Sequence, residues 1–138
     1  MNQFKYVTAD EAVSHIPSHS HIHLSSVASV PHCLIQALCR RADAGDVTDL
    51  HFHHFHTEGP APYSEPSYEG VFFDQGYFIG PNVRANVNSG YADYLPVHLG
   101  ETPRLYRTGA IRLGAALVNV SLPDAEGRVS LGTSVDCS

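Results

Sequence analysis

The stretch "SHIHLSSVASVPHCLIQALCRRADAGDVTDLHFHHF", residues 20–55, confines the chain to an α/β fold. In "SHIHLSSV" the apolar Ile22 and Leu24 alternate with His21 and His23, the period-two signature of a strand with one buried face. Pro31 then opens a helix, where its fixed φ costs nothing. Leu34, Ile35, Leu38, Cys39 and Ala42 give that helix an apolar stripe, and Gly45 stops it. "VTDLHFHHF" reads as a second strand, with His51, His53 and Phe55 on one side and Phe52, His54 and His56 on the other. Strand, helix and strand in this order predict a right-handed βαβ unit in a parallel sheet.

The same grammar extends in both directions. Thr8 and Glu11 have capping-box spacing, which predicts a short helix from Ala9 that ends before Pro17. Segment 57–81 carries Pro60, Pro62, Pro66, Pro81 and four glycines and reads as a long, packed loop. A helix over Val83–Val87, capped by Asn82 and closed by Gly90, is expected next. "YADYLPVHL" gives a strand, and Thr102 with Pro103 opens a short helix ending near Gly109. "AALVNVSLP" reads as a buried strand, and Asp124–Gly127 as a turn into a strand-like "RVSLGTSVD". The expected architecture is an open, mainly parallel sheet with flanking helices. It has too few helices to cover both faces, so it reads as incomplete without a second domain.

Composition excludes several function classes. A formal charge of −6 offers no basic patch for nucleic acid. No apolar run approaches a membrane span, and "MNQFKYVTADEA" has no apolar signal core. Cys33, Cys39 and Cys137 are odd in number and lack CxxC spacing, which fits a reducing cytoplasm. The four imidazoles of "HFHHFH" could each ligate a transition metal, but no acidic or cysteine partner is close in sequence, so a metal-free cluster is expected.

Three blocks carry a resemblance: "HTEGPAPY" (56–63), "YFIGPNVRANVNSGYADYLPVHLGETPRLYR" (77–107) and "ALVNVSLPDAEGRVSLGTSVD" (116–136). They resemble the N-terminal domain of the acetyl-CoA hydrolase/transferase family, which includes 4-hydroxybutyrate and butyrate–acetate CoA-transferases. The similarity runs from about Thr8 to Asp136, and 121–136 is its most specific part. The sequence departs from the family pattern at Gly114, where aspartate is usual, and at His19, where glycine is usual.

The resemblance implies exchange of CoA between an acyl-CoA and a short-chain carboxylate through a glutamyl-CoA intermediate. The coenzyme A thioester is a substrate, and no tightly bound cofactor is expected. In the family the nucleophilic glutamate lies in a second domain. No glutamate here has that context, so residues 1–138 are expected to be an N-terminal domain that is inactive alone, with the catalytic domain absent. Ser26, His56, Glu58, Asn82 and Arg84 are the candidate substrate-binding residues. Ser26 sits at a strand–helix junction, His56 and Glu58 follow a strand end, and the Arg84 fork suits a carboxylate or phosphate. The rival reading is a truncated, non-catalytic remnant acting as a binding or self-associating module. A homo-oligomer is expected in either case, because "VFFDQGYFIG" (71–80) holds too many apolar residues for a short loop to hide.

Overall fold

The computed structural model describes residues 5–138. Its first helix, α1 (Ala9–Ser14), begins where Thr8 Oγ1 accepts the Glu11 N–H, the expected cap. Strand β1 (His21–Leu24) is followed by helix α2 (His32–Asp43) and strand β2 (Leu50–His54). Pro31 is the residue before the first helical one. Gly45 takes φ +75 and donates its N–H to Ala42 O, so the stop has the left-handed geometry that glycine alone adopts freely. Strands β3 (Phe72–Gly76), β4 (Ala92–Tyr94) and β5 (Leu113–Leu117) complete the sheet, with helices α3 (Arg84–Asn88) and α4 (Thr102–Arg107) between them.

All five strands pair in parallel, in the order β4-β3-β2-β1-β5. The chain steps outward from β1 to β4 and then returns to place β5 on the other side of β1. The direction of winding therefore reverses between β1 and β5. In open α/β sheets such a reversal leaves a crevice at the carboxyl ends of the strands, where ligands bind.

One face of the sheet makes the core. Ile22, Leu24, Leu50, Phe52 and Phe72 pack with Val13 and Ile16, at the end of α1, and with Ile35, Ala37 and Leu38 from α2. The opposite face bears rings. The parallel register aligns His21 with His51 and His51 with Phe73, and the three stack at centroid distances of 4.5 and 4.7 Å. His53 lies above this row, its Nε2 paired with His21 Nδ1 at 2.7 Å. The α4 side chain Tyr106 caps the upper part of this face, pairing with the hydroxyl of Tyr77 and with His23 Nδ1.

Several expectations are corrected. Segment 57–81 is loop over most of its length, as expected, but two 3₁₀ turns, Pro62–Ser64 and Pro66–Tyr68, lead into β3, a strand that was not expected. This removes the reason for expecting an exposed apolar patch at 71–79. Phe72 and Tyr77 are buried, and of the six large apolar residues there only Phe78 is exposed. Asn82 does not cap α3; Val83 stands at that position without a side-chain bond. Strand β5 is shorter than "AALVNVSLP" and, apart from Leu117, is not buried, because it lies at the sheet edge. Segment 128–136 forms no strand; its polar groups turn back on 121–124, with Ser121 N–H on Ser130 O and Asp124 N–H on Arg128 O.

Both departures from the family pattern find a physical setting. His19 holds φ +64, the left-handed region that glycine enters without a steric cost. At Gly114 an added Cβ would stand 3.3 Å from Ser20 Oγ, so a larger residue there would press on that side chain.

Candidate functional site

The carboxyl ends of β1 and β2 run on as two loops held side by side. Val27 N–H donates to His56 O at 2.9 Å, and Val27 and Thr57 form a parallel bridge. This contact brings Ser26 next to the segment that carries His56 and Glu58. Ser26 is wholly buried; its Oγ accepts the Phe55 N–H at 2.9 Å and its own N–H donates to Asp136 Oδ2 at 3.1 Å. On the β5 side, Ser25 N–H donates to Leu117 O and Asn119 N–H donates to Ser25 Oγ. The reversal point between β1 and β5 is thus closed by residues 25–26, 117–119 and 136.

His56 Nε2 stands 3.5 Å from Glu58 Oε1, whose carboxylate is more than half exposed. Asn82 ties the loop down from the other side, its Nδ2 donating to Thr57 Oγ1 and Gly59 O, each at 3.1 Å. Thr57 Oγ1 also meets the buried Tyr63 hydroxyl at 2.7 Å, and burial pushes that phenol well above its ordinary range. Gly80 permits the close approach: a Cβ there would meet Asn82 Oδ1 at 2.7 Å and Thr57 O at 3.2 Å. Ser26, His56, Glu58 and Asn82 therefore form one cluster. Arg84 stands apart on α3, exposed, with Nη2 3.4 Å from Ile79 O and no ion pair among the described residues.

Sequence reasoning missed two features. One is His54–Asp74, Nε2 to Oδ1 at 2.6 Å, completely buried between β2 and β3 on the core face. Alternation already put His54 on the Phe52 side, but its partner lay in a strand not foreseen. The other is an open cleft of about 350 Å³ beside the loops, lined by Phe55, Tyr77, Phe78, Tyr94, Val97 and Leu99 among others. Its only signal in the sequence was that most of it falls within the second block of the resemblance.

The histidine-rich face does not offer a convergent donor set. His21 and His51 stack with ring planes 22° apart, and His21 Nδ1 is taken up by His53 Nε2 at 2.7 Å, so these three imidazoles do not converge on one point. Burial, then repulsion from the neighbouring imidazoles, lowers His53 to about 3, and burial likewise lowers His21. Among the described residues the donors that do converge are His23, Asp136 and Cys137, within 4.8 Å of one another. Burial, reinforced by Asp136, pushes the Cys137 thiol up to about 12, which keeps it protonated at neutral pH in the metal-free chain.

The family model for the acetyl-CoA hydrolase/transferase N-terminal domain matches residues 2–138. The chain belongs to that family. It is 36% identical over 127 residues to a succinyl-CoA:acetate/propanoyl-CoA:succinate CoA transferase of Fasciola hepatica, covering 92% of this chain and 26% of that protein. It is 34% identical over 132 residues to a 4-hydroxybutyrate coenzyme A transferase of Clostridium kluyveri, covering 96% of this chain and 30% of that one. Among solved structures, RipA from Yersinia pestis superposes with a TM-score of 0.80 at 29% identity, over 91% of this chain and 31% of RipA. The chain thus spans under a third of the length of the relatives it matches. Among the described residues no helix is long and apolar enough to cross a membrane.

Proposed function

We propose that this chain supplies substrate-cleft walls for CoA transfer between an acyl-CoA and a short-chain carboxylate, with the nucleophile on polypeptide outside these residues. The observation that carries the reading is the Val27–His56 bond, which aligns the loops after β1 and β2 at the carboxyl end of the sheet. Membership of the family supports the same reaction class.

In the reaction, a glutamate carboxylate attacks the thioester carbonyl and CoA thiolate leaves, giving an acyl-glutamyl anhydride. The thiolate then attacks the glutamyl carbonyl, releasing the acyl group as its carboxylate and forming glutamyl-CoA. The acceptor carboxylate reverses both steps. Covalent catalysis of this kind replaces one hard exchange by easier ones. His56 and Glu58 form the polar wall beside the reacting carbonyl. Asn82 and Tyr63 act through Thr57 to hold that wall in place. Ser26 fixes the junction beneath it, since its hydroxyl is taken up by Phe55. Arg84 offers a fork to an anionic group at the rim. The reading includes a cytoplasmic location and a homo-oligomer; a single species near 15.0 kDa by light scattering at micromolar concentration removes the oligomer from it.

Intact-mass spectrometry tests the assignment of the nucleophile. After incubation with acetyl-CoA the 138-residue chain is expected to keep its own mass. A CoA-sized increment removable by hydroxylamine would place the nucleophile within this chain and overturn the proposal.

A further inference from the structure

We infer that the aromatic cleft beside the His56–Glu58 loop is the subsite for the apolar chain of the acyl group. This deepens the reading above and rests on it. The cleft opens at the carboxyl ends of β2, β3 and β4, between the Phe55–Phe78 pair and the segment after Tyr94. Its volume of about 350 Å³ lies at the lower end of small-molecule clefts and would hold roughly ten non-hydrogen atoms at about 30 Å³ each. Its lining contains no Asp, Glu, Lys or Arg; His98 is its only imidazole. A diphosphate or a second carboxylate would therefore find no charged partner there, whereas a hydrocarbon chain needs none.

Position selects the acyl end of the thioester over the nucleotide end. Phe78 stacks on Phe55 at 6.0 Å, the two planes 8° apart, and meets the His56 ring edge at 5.6 Å. One wall of the cleft is thus in contact with the polar wall where the carbonyl is proposed to react. The acyl chain starts at that carbonyl, while adenine lies at the far end of the pantetheine arm. Phe78, Tyr94 and Leu99 are 52%, 49% and 41% exposed. They are therefore free to close over a ligand, and replacing them leaves the core intact.

Amide shifts of the ¹⁵N-labelled chain, titrated with CoA, acetyl-CoA, butyryl-CoA and hexanoyl-CoA, test the inference. The thioesters are expected to shift the amides of His56–Glu58. The longer acyl chains are expected also to shift Phe78, Tyr94 and Val97–Leu99, with affinity rising up to about fourfold per buried methylene. Leu99→Trp, which fills the cleft from an exposed position, should abolish this dependence on length, so that hexanoyl-CoA binds no more tightly than acetyl-CoA. Free CoA shifting the cleft amides as strongly as hexanoyl-CoA would overturn the inference and leave the proposed function standing. So would affinity independent of chain length, or a Leu99→Trp variant that binds hexanoyl-CoA as the parent does. If no thioester shifts either set of amides, the inference and the proposed function both fall.

Discussion

Val27 holds a β-branched side chain at φ +54, in the left-handed region, on the bond that joins the two site loops. For a β-branched residue this is a costly conformation, on the order of 1–3 kcal/mol, kept only when the surroundings enforce it. Here the enforcement is visible. The Val27 N–H is committed to His56 O, and on either side Ser26 N–H and Ser29 N–H are committed to Asp136 Oδ2 and Ser26 O. Val27→Gly relieves the steric conflict and gives back part of the gain through the greater freedom of glycine in the unfolded chain. The expected result is a net stabilisation of about 1 kcal/mol, read as a higher urea midpoint at an unchanged slope. A midpoint that stays or falls would mean that the loop does not store strain at this residue.

At the scale of elements, β3 divides what the sequence discloses from what it hides. Strands β1 and β2 and helices α1 and α2 were legible because each repeats its own period and ends in recognisable cap or stop chemistry. The candidate loop residues Ser26, His56 and Glu58 were legible for the same reason, since they follow strand ends. Strand β3 was not: Pro60, Pro62, Pro66 and Pro81 flank it, and its inward positions are Phe72, Asp74 and Gly76, of which only the first is apolar. Asp74 looks like a solvent residue until His54 is known to face it from β2. Strand β5 was overread in the opposite direction: an apolar run continues past it, but β5 stops at Leu117, opposite Leu24, where its one neighbour β1 ends. Two truncations test β3. Phe72→Ala should cost about 3–5 kcal/mol, as expected for a core ring, while Phe78→Ala should stay within about 0.5 kcal/mol. Equal costs in chemical denaturation would contradict a strand that sends Phe72 inward and leaves Phe78 outside.

On the whole molecule, the two faces of the sheet respond differently to acid. The face under α1 and α2 is hydrocarbon apart from the His54–Asp74 pair, whereas the opposite face gathers His21, His23, His51 and His53 beside Tyr77, Tyr106 and Asp49. Burial is the main reason that His21, His23 and His53 resist protonation, and His53 is lowered to about 3. The stacked row adds to this, because a charge on one ring repels a charge on the next. In the unfolded chain the same groups titrate near 6.5. Above that pH both states are neutral at these positions and stability is fully present. Between about 6.5 and 3 the unfolded chain binds a proton at position 53 that the native state refuses. Stability therefore falls as pH falls, by at most about 1.4 kcal/mol per pH unit for one histidine. His21 and His23 add in the same direction. Urea midpoints at pH 7.5, 6.0 and 5.0 should decline steadily, with most of the loss below pH 6.5. His53→Gln, which keeps a polar partner for His21 Nδ1, should flatten the decline by one histidine's share and move the midpoint at pH 7.5 far less. Midpoints that hold level down to pH 5.0 would show that the imidazole face accepts protons freely, and with it the packing of that face would have to be redrawn.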